Sequence, residues 1–436
     1  MHFYSTNNKN IRVSLEDAVM KGLAEDGGLF MPDHIPHMPE TFFNQIGSLS
    51  FQEIAFEVGK MFLEGIIPVN EQREIVSKAF NFEAPLKELS SDIYALELFH
   101  GPTLSFKDFG GRYMAQLMGY FMRHKNQTLN ILVATSGDTG SAIAQAFFNV
   151  PGIRVWILYP EGKVSWSQEK QLTTMGGNIT ALEVVGSFDD CQKLVKQAFS
   201  DNVLRKKVNL TSANSINIAR LIPQSFYYIY AYAQLKDKNK PMIISVPCGN
   251  FGNLTAGLLA QRIGLPVAHF MAATNINDTV PKYLHTGIFE PHLSKHTLSN
   301  AMDVGNPSNF ARMLDLYDHQ WKKMGIEVTG ISYTDDQTKI AMQELFSKYG
   351  YLPDPHGAVA FLGLQSYMKN HQDKINGIFL ETAHPAKFAE DVERITSQKV
   401  PIPKGLQDVL AKEKHSIKSS PNYDEFHNLL LTKYKE

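Results

Sequence analysis

The chain has 436 residues, of which 43% are hydrophobic, and its 42 basic and 44 acidic residues give a net charge of −2. This composition provides enough apolar surface for a sizeable core and excludes disorder over most of the chain. The nearly balanced charge offers no polyanion-binding surface, so we expect no nucleic-acid partner.

The sequence lacks the signals of several other protein classes. The first residues do not form a basic region followed by an apolar core, so we expect no signal peptide and a cytoplasmic location. The longest uncharged run, residues 241–261, contains too many Pro, Gly and Asn residues for a membrane span. No two glycines stand one residue apart, and neither Gly-Lys pair precedes Ser or Thr, which excludes the dinucleotide fingerprint and the P-loop. The pair His292 and His296 lacks a third ligand nearby, so we expect no metal site.

Along the chain, helical segments come first, and strands alternating with helices follow. Residues 15–23 and 51–63 have helical patterns, which predict a separate helical N-terminal element. Predicted strands then cover residues 129–134, 153–159, 181–185, 242–246, 266–273 and 377–380. Continuous apolar runs of this kind are typical of parallel strands that helices cover on both faces. The sequence therefore predicts an α/β fold with ligands at the carboxyl ends of its strands.

The segment HGPTLSFKDFGG, residues 100–111, contains a lysine in an unusual position. Lys107 lies between Phe106 and Phe109, directly before an apolar-periodic helix. Desolvation and the positive end of a helix both lower the pKa of a lysine amine, which favours imine formation. The alternative is a lysine that extends to solvent and pairs with Asp108. The residues alone leave both interpretations open.

A Gly- and Asn-rich loop follows the predicted strand at residues 242–246. Residues 248–254, CGNFGNL, contain no charged side chain. Gly and Asn tolerate left-handed backbone conformations, so successive N–H groups can converge on an anion at the start of the next helix. The loop is therefore a candidate phosphate site, and a plain turn between strand and helix is the alternative.

Two polar segments at other strand ends are candidate binding sites for an anionic substrate group. Residues 135–141, TSGDTGS, combine hydroxyls with the N-terminus of a helix, although the same groups could act only as helix caps. In residues 212–220, Asn214, Asn217 and Arg220 stand three apart and would share one helix face. Two amides and a guanidinium can bind a phosphate, and a solvated helix face is the alternative.

Together these segments resemble the threonine synthases, which are pyridoxal-phosphate enzymes. The resemblance covers nearly the whole chain and includes GLAEDGGLFMP, LFHGPTLSFKDFGGR, ATSGDTGSA, NSINIAR, VPCGNFGNLTAG, ATNINDTVP, TLSNAMDVGNPSN and ETAHPAKF, in the family's order. It implies fold type II, in which two three-layer α/β/α open-sheet domains flank the cofactor beside a mainly helical N-terminal domain. The implied boundaries are residues 1–92 for the N-terminal domain, 93–215 for the smaller subdomain and 216–436 for the larger subdomain.

The resemblance also implies roles for individual residues. Lys107 would be the catalytic residue and would form the imine with pyridoxal 5'-phosphate. Thr382 would place its hydroxyl against the pyridine nitrogen, and the cofactor phosphate would be bound by Gly249, Asn250, Phe251, Gly252 and Asn253. The candidates for substrate binding are Thr135, Ser136, Asp138, Thr139, Lys163, Asn214, Asn217 and Arg220. Asp138 stands where many fold type II relatives carry Asn, and an anion beside an ionised ring oxygen would be repulsive, so its role is left open.

The implied reaction converts O-phospho-L-homoserine and water into L-threonine and phosphate, in a monomer or homodimer. A hydroxy-amino-acid dehydratase or an O-acetylserine sulfhydrylase of the same fold is one alternative, but neither reaction provides a γ-phosphate for Asn217 and Arg220 to bind. A catalytically inactive homologue that binds phosphorylated ligands is another alternative, which the presence of Lys107 disfavours.

Overall fold

The computed structural model describes residues 1–135, 137–371 and 374–434. The strands within these residues are β1 Phe3–Ser5, β2 Arg12–Val13, β3 Phe30–Pro32, β4 Leu86–Ser90, β5 Ile93–Glu97, β6 Leu129–Ala134, β7 Ile153–Pro160, β8 Ile179–Val184, β9 Asn209–Ser212, β10 Met242–Pro247, β11 Val267–Thr274, β12 Val328–Ser332, β13 Asn376–Glu381 and β14 Ile417–Ser419. Each predicted strand corresponds to one of these, with shifts of at most a few residues at the ends.

The helices in the same residues are α1 Leu15–Lys21, α2 Glu40–Gln45, α3 Phe51–Leu63, α4 Val69–Ala79, α5 Lys107–Met122, α6 Asp138–Phe147, α7 Trp166–Thr173, α8 Phe188–Ser200, α9 Asn202–Lys207, α10 Ile218–Leu221, α11 Gln224–Gln234, α12 Gly252–Ile263, α13 Thr279–Thr286, α14 Phe310–Leu316, α15 Trp321–Glu327, α16 Asp335–Tyr349, α17 Pro355–Asn370, α18 Ala389–Thr396, α19 Lys404–Leu410 and α20 Tyr423–Tyr434. Short 3₁₀ helices cover Ile46–Ser48, Asn300–Met302 and Pro385–Phe388. None of the helices in the described ranges combines the length and the apolar character needed to span a bilayer.

Two larger sheets confirm the α/β prediction. One has six strands in the order β12-β11-β10-β13-β5-β4, parallel except for the antiparallel pair of β4 and β5. The other has five parallel strands in the order β14-β8-β7-β6-β9. Every residue of β6, β10 and β13 is buried, as expected for strands covered on both faces.

The N-terminal part combines helices with a small antiparallel sheet of the order β2-β1-β3. Helix α3 begins with a capping box, in which Ser50 and Glu53 satisfy each other's backbone N–H groups. It buries Phe51 against Phe109 of α5, with ring centroids 5.4 Å apart, and Phe109 also contacts Tyr227 of α11 at 5.2 Å. This aromatic contact fixes the helix that begins at Lys107.

Each larger sheet includes a strand from across the domain boundary that the family resemblance implies. Those boundaries remain a prediction. Strand β5 lies within residues 93–215 but pairs with β13 in the six-stranded sheet. Strand β14 lies within residues 216–436 but pairs with β8 in the five-stranded sheet. Helix α20 buries Phe426 and Leu430 in the core beside that second sheet. Sequence periodicity predicts that a strand forms, but it carries no information about which sheet a late segment joins.

Candidate active site

Lys107 and Thr382 are brought together by pairing between the segment before α5 and the segment after β13. Ser105 and Ala383 form an isolated antiparallel bridge, and the Phe106 N–H donates to the Thr382 carbonyl at 2.9 Å. Helix α5 then starts at Lys107, whose backbone N–H donates to Ser105 Oγ at 3.2 Å, while the N-cap residue Phe106 provides no side-chain cap. The lysine that the sequence singles out therefore lies beside the carboxyl end of a central strand, where ligands bind in open α/β sheets.

The amine of Lys107 lies in a largely buried, charged environment. Its side chain is 14% exposed, and Nζ lies 3.4 Å from Oδ2 of Asp138. Burial lowers the pKa of Lys107, and the positive charges of Lys387 and Arg220 lower it further, whereas Asp138 opposes them. A lowered pKa leaves more of this amine neutral, and therefore nucleophilic, than at an ordinary lysine.

Asp138 is the centre of a hydrogen-bond network. Its Oδ1 accepts from Lys387 Nζ at 2.7 Å and from Gln168 Nε2 at 2.9 Å. Burial alone would raise the pKa of Asp138, but Lys387 and Lys107 hold it well below its usual range. Asp138 is therefore an anion, and its carboxylate is already occupied by protein donors.

The Gly- and Asn-rich loop has the backbone of an anion site. Phe251 adopts φ = 60°, in the left-handed region, and α12 begins after it without a side-chain cap. Within the described residues, no backbone N–H from Gly249 to Leu254 donates to a backbone carbonyl. These donors lie at the N-terminus of a 12-residue helix, where the helix dipole favours negative charge.

Two asparagine side chains fix this loop in place. Asn250 donates to Ser215 Oγ at 2.7 Å, and its Oδ1 accepts from the backbone and hydroxyl of Ser308 at 2.7 and 2.8 Å. The Oδ1 of Asn253 accepts from the hydroxyls of Tyr227 and Tyr228 at 2.6 and 2.7 Å. Its buried Nδ2 has no partner among the described residues, which leaves a donor for a ligand.

Residue 135 and residues 137–140 form a tightly constrained turn. The Thr135 hydroxyl accepts from the N–H groups of Gly137 and Gly140 at 3.0 and 2.9 Å, so it stabilises the turn. Gly137 has φ = +142°, and a Cβ there would lie 2.4 Å from the side chain of Gln168. Thr139 is half-buried in the first turn of α6. Ser136 lies outside the described residues.

In the NSINIAR segment, some polar side-chain atoms are bonded to the protein, and others remain for binding a ligand. Asn217 caps α10, and its amide donates to the carbonyls of Val19 and Ser212 at 2.9 and 3.3 Å, so it makes structural bonds. The buried Arg220 donates to the Ala213 carbonyl at 3.0 Å, while its Nε has no partner within the described ranges. Burial lowers the pKa of Arg220 to about 10. Asn214 is half-buried, one residue from the Ser215 that binds Asn250.

Lys163 is not brought into this network. It follows Gly162 in the turn after β7, is exposed, and its backbone N–H donates to the Pro160 carbonyl at 3.2 Å.

The network also includes residues to which the sequence assigned no role, namely Lys387, Gln168, Ser215 and Ser308. Lys387 belongs to the ETAHPAKF segment, but a lysine with a fully buried side chain cannot be distinguished by pattern from one at the surface.

The hydrogen-bond donors without a protein partner, together with the Lys107 amine, fit an aldehyde that carries a phosphate. The free N–H groups after Gly249 and the unpartnered Nδ2 of Asn253 suit a phosphate, and the buried Lys107 amine suits a carbonyl carbon. A Cβ at Gly249 would lie 2.8 Å from the Ala301 carbonyl oxygen and from Met302 Cα, so the loop can approach this backbone only with glycine.

The family models and known proteins that this chain resembles are described as threonine synthases or pyridoxal-phosphate-dependent enzymes. Family models match at residues 2–80 (threonine synthase N terminus), 77–378 (pyridoxal-phosphate dependent enzyme) and 357–429 (threonine synthase, C-terminal). A threonine synthase of Escherichia coli is 45% identical over 408 residues, covering 93% of this chain and 94% of that protein. A threonine synthase of Buchnera aphidicola subsp. Acyrthosiphon pisum is 43% identical over 436 residues, covering 99% of this chain and 100% of that protein.

Solved structures extend this similarity to the fold. The crystal structure of Escherichia coli threonine synthase aligns with a TM-score of 0.91 at 43% identity, over 99% of this chain and 100% of that one. A pyridoxal-phosphate-bound threonine synthase from Brucella melitensis aligns with a TM-score of 0.94 at 31% identity, over 100% of both chains.

Proposed function

The chain belongs to the threonine synthase family of pyridoxal-phosphate-dependent enzymes, and we propose specific roles for its residues in that reaction. The enzyme converts O-phospho-L-homoserine and water into L-threonine and phosphate, with pyridoxal 5'-phosphate as cofactor. When bound, the cofactor provides an electron sink for the carbanion formed at the substrate α-carbon.

Lys107 is the residue that holds the cofactor and moves protons at the substrate. The observation that carries this role is its buried amine, whose pKa is lowered by burial and by two neighbouring cations. Such an amine is neutral in a larger fraction of molecules near pH 7, so it can accept the proton from the α-carbon. Phe109, in the first turn of the same helix, packs against Phe51 and Tyr227 and so fixes the helix that carries the amine.

The loop from Gly249 to Asn253 binds the cofactor phosphate through backbone N–H groups. This role is supported by the uncapped start of α12 and by the unpartnered Nδ2 of Asn253. Thr382 adjoins Lys107 through the Phe106 hydrogen bond, which supports its role at the pyridine nitrogen. A neutral hydroxyl at that position leaves the ring nitrogen without an anionic partner.

The substrate phosphate is held by Arg220 with Thr139, Asn214 and the TSGDTG turn. Arg220 supports this role with an unpartnered, buried Nε, a donor suited to a phosphate oxygen. Asn217 and Thr135 hold this surface in shape, because their polar atoms are bonded to the protein. Lys163 is exposed and would contribute only if its turn moved toward the site. A monomeric or homodimeric state and a cytoplasmic location remain predictions from the sequence.

Product analysis tests the function directly. We expect purified protein with pyridoxal phosphate to release phosphate from O-phospho-L-homoserine and to form an equal amount of threonine. Threonine, serine and O-acetylserine with sulfide serve as alternative substrates. Turnover of one of these without turnover of phosphohomoserine would indicate a dehydratase or a sulfhydrylase. Absence of turnover with every substrate would indicate an inactive homologue.

Gly249→Ala should weaken cofactor binding. The added Cβ would lie 2.8 Å from two backbone atoms, Ala301 O and Met302 Cα, which cannot rotate away. Overpacking of this kind costs about 1–3 kcal/mol, so the Kd of pyridoxal phosphate should rise by about fivefold to a hundredfold. Absorbance titration of apoprotein measures this Kd. Gly405→Ala is the matched control, because its Cβ would meet nothing within 4 Å. Equal Kd values for the two variants would contradict the role of the loop.

A further inference from the structure

A second lysine, Lys387, lies buried in the site without a role in the scheme above. Its side chain is 0% exposed, and Nζ lies 2.7 Å from Asp138 Oδ1. The same Nζ donates to the Thr103 carbonyl at 3.0 Å. Lys387 lies in the 3₁₀ helix Pro385–Phe388, four residues after Ala383, which pairs with Ser105. A lysine is rarely buried without a reason that outweighs the cost of desolvation.

The two oxygens of Asp138 are divided between the two lysines. Oδ1 binds Lys387 at 2.7 Å, and Oδ2 faces Lys107 at 3.4 Å. The shorter contact is a charge-assisted hydrogen bond of ordinary length, whereas the longer one is weak. Gln168 supports Oδ1 from a third direction, so the carboxylate is oriented by Lys387 and Gln168.

Within the described ranges, Arg220 is a further charge that acts on Lys107, and Asp108 is its neighbour in the chain. The Arg220 guanidinium adds positive potential at the Lys107 amine. Asp108, the next residue in α5, is buried and accepts from the N–H and hydroxyl of Thr103 at 2.8 and 2.7 Å. Thr103 therefore binds Asp108 through its donors and Lys387 through its carbonyl, which ties both charges to one residue.

We propose that Lys387 is a positioning residue that neutralises Asp138, so that this buried carboxylate does not hold the Lys107 amine in its protonated form. The proposal rests on the role of Lys107 given above and adds a residue that sets its charge state. An unbalanced carboxylate within about 4 Å of an amine raises the amine pKa by about 1–3 units. A paired carboxylate presents no net charge and has a much smaller effect.

The sign of each substitution follows from this charge balance. Lys387→Met removes a cation near Lys107, and among the described residues it leaves Asp138 with Lys107 as its cationic partner. Both changes raise the pKa of Lys107. Asp138→Asn leaves Lys387 unbalanced beside Lys107 and lowers that pKa. The double variant Asp138→Asn/Lys387→Met restores neutrality, so the pKa should return toward that of the unmodified protein.

The test measures attachment of the cofactor and does not depend on turnover. Pyridoxal phosphate is added to apoprotein from pH 6 to pH 10, and borohydride traps the adduct at timed intervals. Peptide mapping then gives the rate of reduction onto Lys107, which rises with the neutral fraction of its amine. We expect the midpoint of this pH profile to rise by about 1 unit or more in Lys387→Met and to fall in Asp138→Asn. The double variant should lie between them.

Lys240→Met is the matched control, because Lys240 also forms an ion pair, with Asp92 at 2.8 Å, at the opposite end of β10. Its midpoint should equal that of the unmodified protein.

An unchanged or lowered midpoint in Lys387→Met would overturn the proposal. A midpoint of the double variant as high as that of Lys387→Met would also overturn it. If Lys387→Met does not fold, the midpoint of Asp138→Asn is compared with that of the charge-balanced double variant. The midpoint of the double variant should be the higher of the two, and equal midpoints would overturn the proposal. Failure of the threonine assay with these midpoints shifted as expected would refute the proposed function alone.

Discussion

Lys107→Ala is expected to abolish threonine formation, with a loss of about 1,000-fold or more in turnover. The variant lacks both the amine that attaches the cofactor and the base for the α-proton. Folding should be little affected, because within the described residues the side chain makes one long hydrogen bond, at 3.4 Å to Asp138. The measurement is phosphate and threonine release from O-phospho-L-homoserine, together with thermal denaturation to verify folding.

Borohydride reduction and peptide mapping locate the attachment site in the unmodified protein. The adduct is expected at Lys107, and none is expected in Lys107→Ala. Lys387 is the competing candidate, since it is also buried and contacts the same carboxylate. An adduct at Lys387, or full threonine production by Lys107→Ala, would contradict the assignment. Lys240→Ala should retain full activity and serves as the control for removing a lysine from an ion pair.

The sequence predicts those parts of the site that depend on local chemistry. Lys107 is a candidate because aromatic residues and a helix start surround it in the chain, and the loop at Gly249 is one because Gly and Asn permit its backbone. The resemblance to the threonine synthases then favours the functional interpretation of each. Both signals lie within about ten residues of the feature they predict. Six strands of the two larger sheets are predicted for the same reason, because burial on both faces favours runs of apolar residues.

Features that depend on long-range pairing are not visible in this way. Asn217 resembles a ligand in the sequence, but the structure shows its amide bonded to Val19, 198 residues away. Lys387 contacts Asp138 from the far end of the chain, and nothing near it in the sequence indicates burial. The assignment of β5 and β14 to sheets also depends on tertiary contacts. Spacing along the chain cannot distinguish a side chain that binds a ligand from one that joins two domains.

Arg312 of α14 is the residue whose loss should destabilise the fold most. It is 0% exposed and donates to the Phe30 carbonyl of β3 at 3.2 and 3.1 Å. It also donates to the carbonyls of Ser215 and Ile216 at 3.4 and 2.6 Å, and to Asn309 Oδ1 at 2.7 Å. All of its acceptors in the described ranges are neutral oxygens, and burial lowers the pKa of Arg312 to about 9. One guanidinium thus links the N-terminal sheet to the loop beside the phosphate site.

Arg312→Met should lower the free energy of unfolding by about 3–5 kcal/mol, because the buried carbonyls of Phe30, Ser215 and Ile216 lose their donor. Urea denaturation of the apoprotein measures this loss. Arg123→Met is the matched control, since Arg123 pairs with Glu71 while 42% exposed and should cost less than about 1 kcal/mol. Because Ser215 also binds Asn250, the Kd of pyridoxal phosphate should rise in Arg312→Met and stay constant in Arg123→Met. Equal stability of the two variants would show that the Arg312 contacts are replaced by water and that the N-terminal sheet does not depend on this residue.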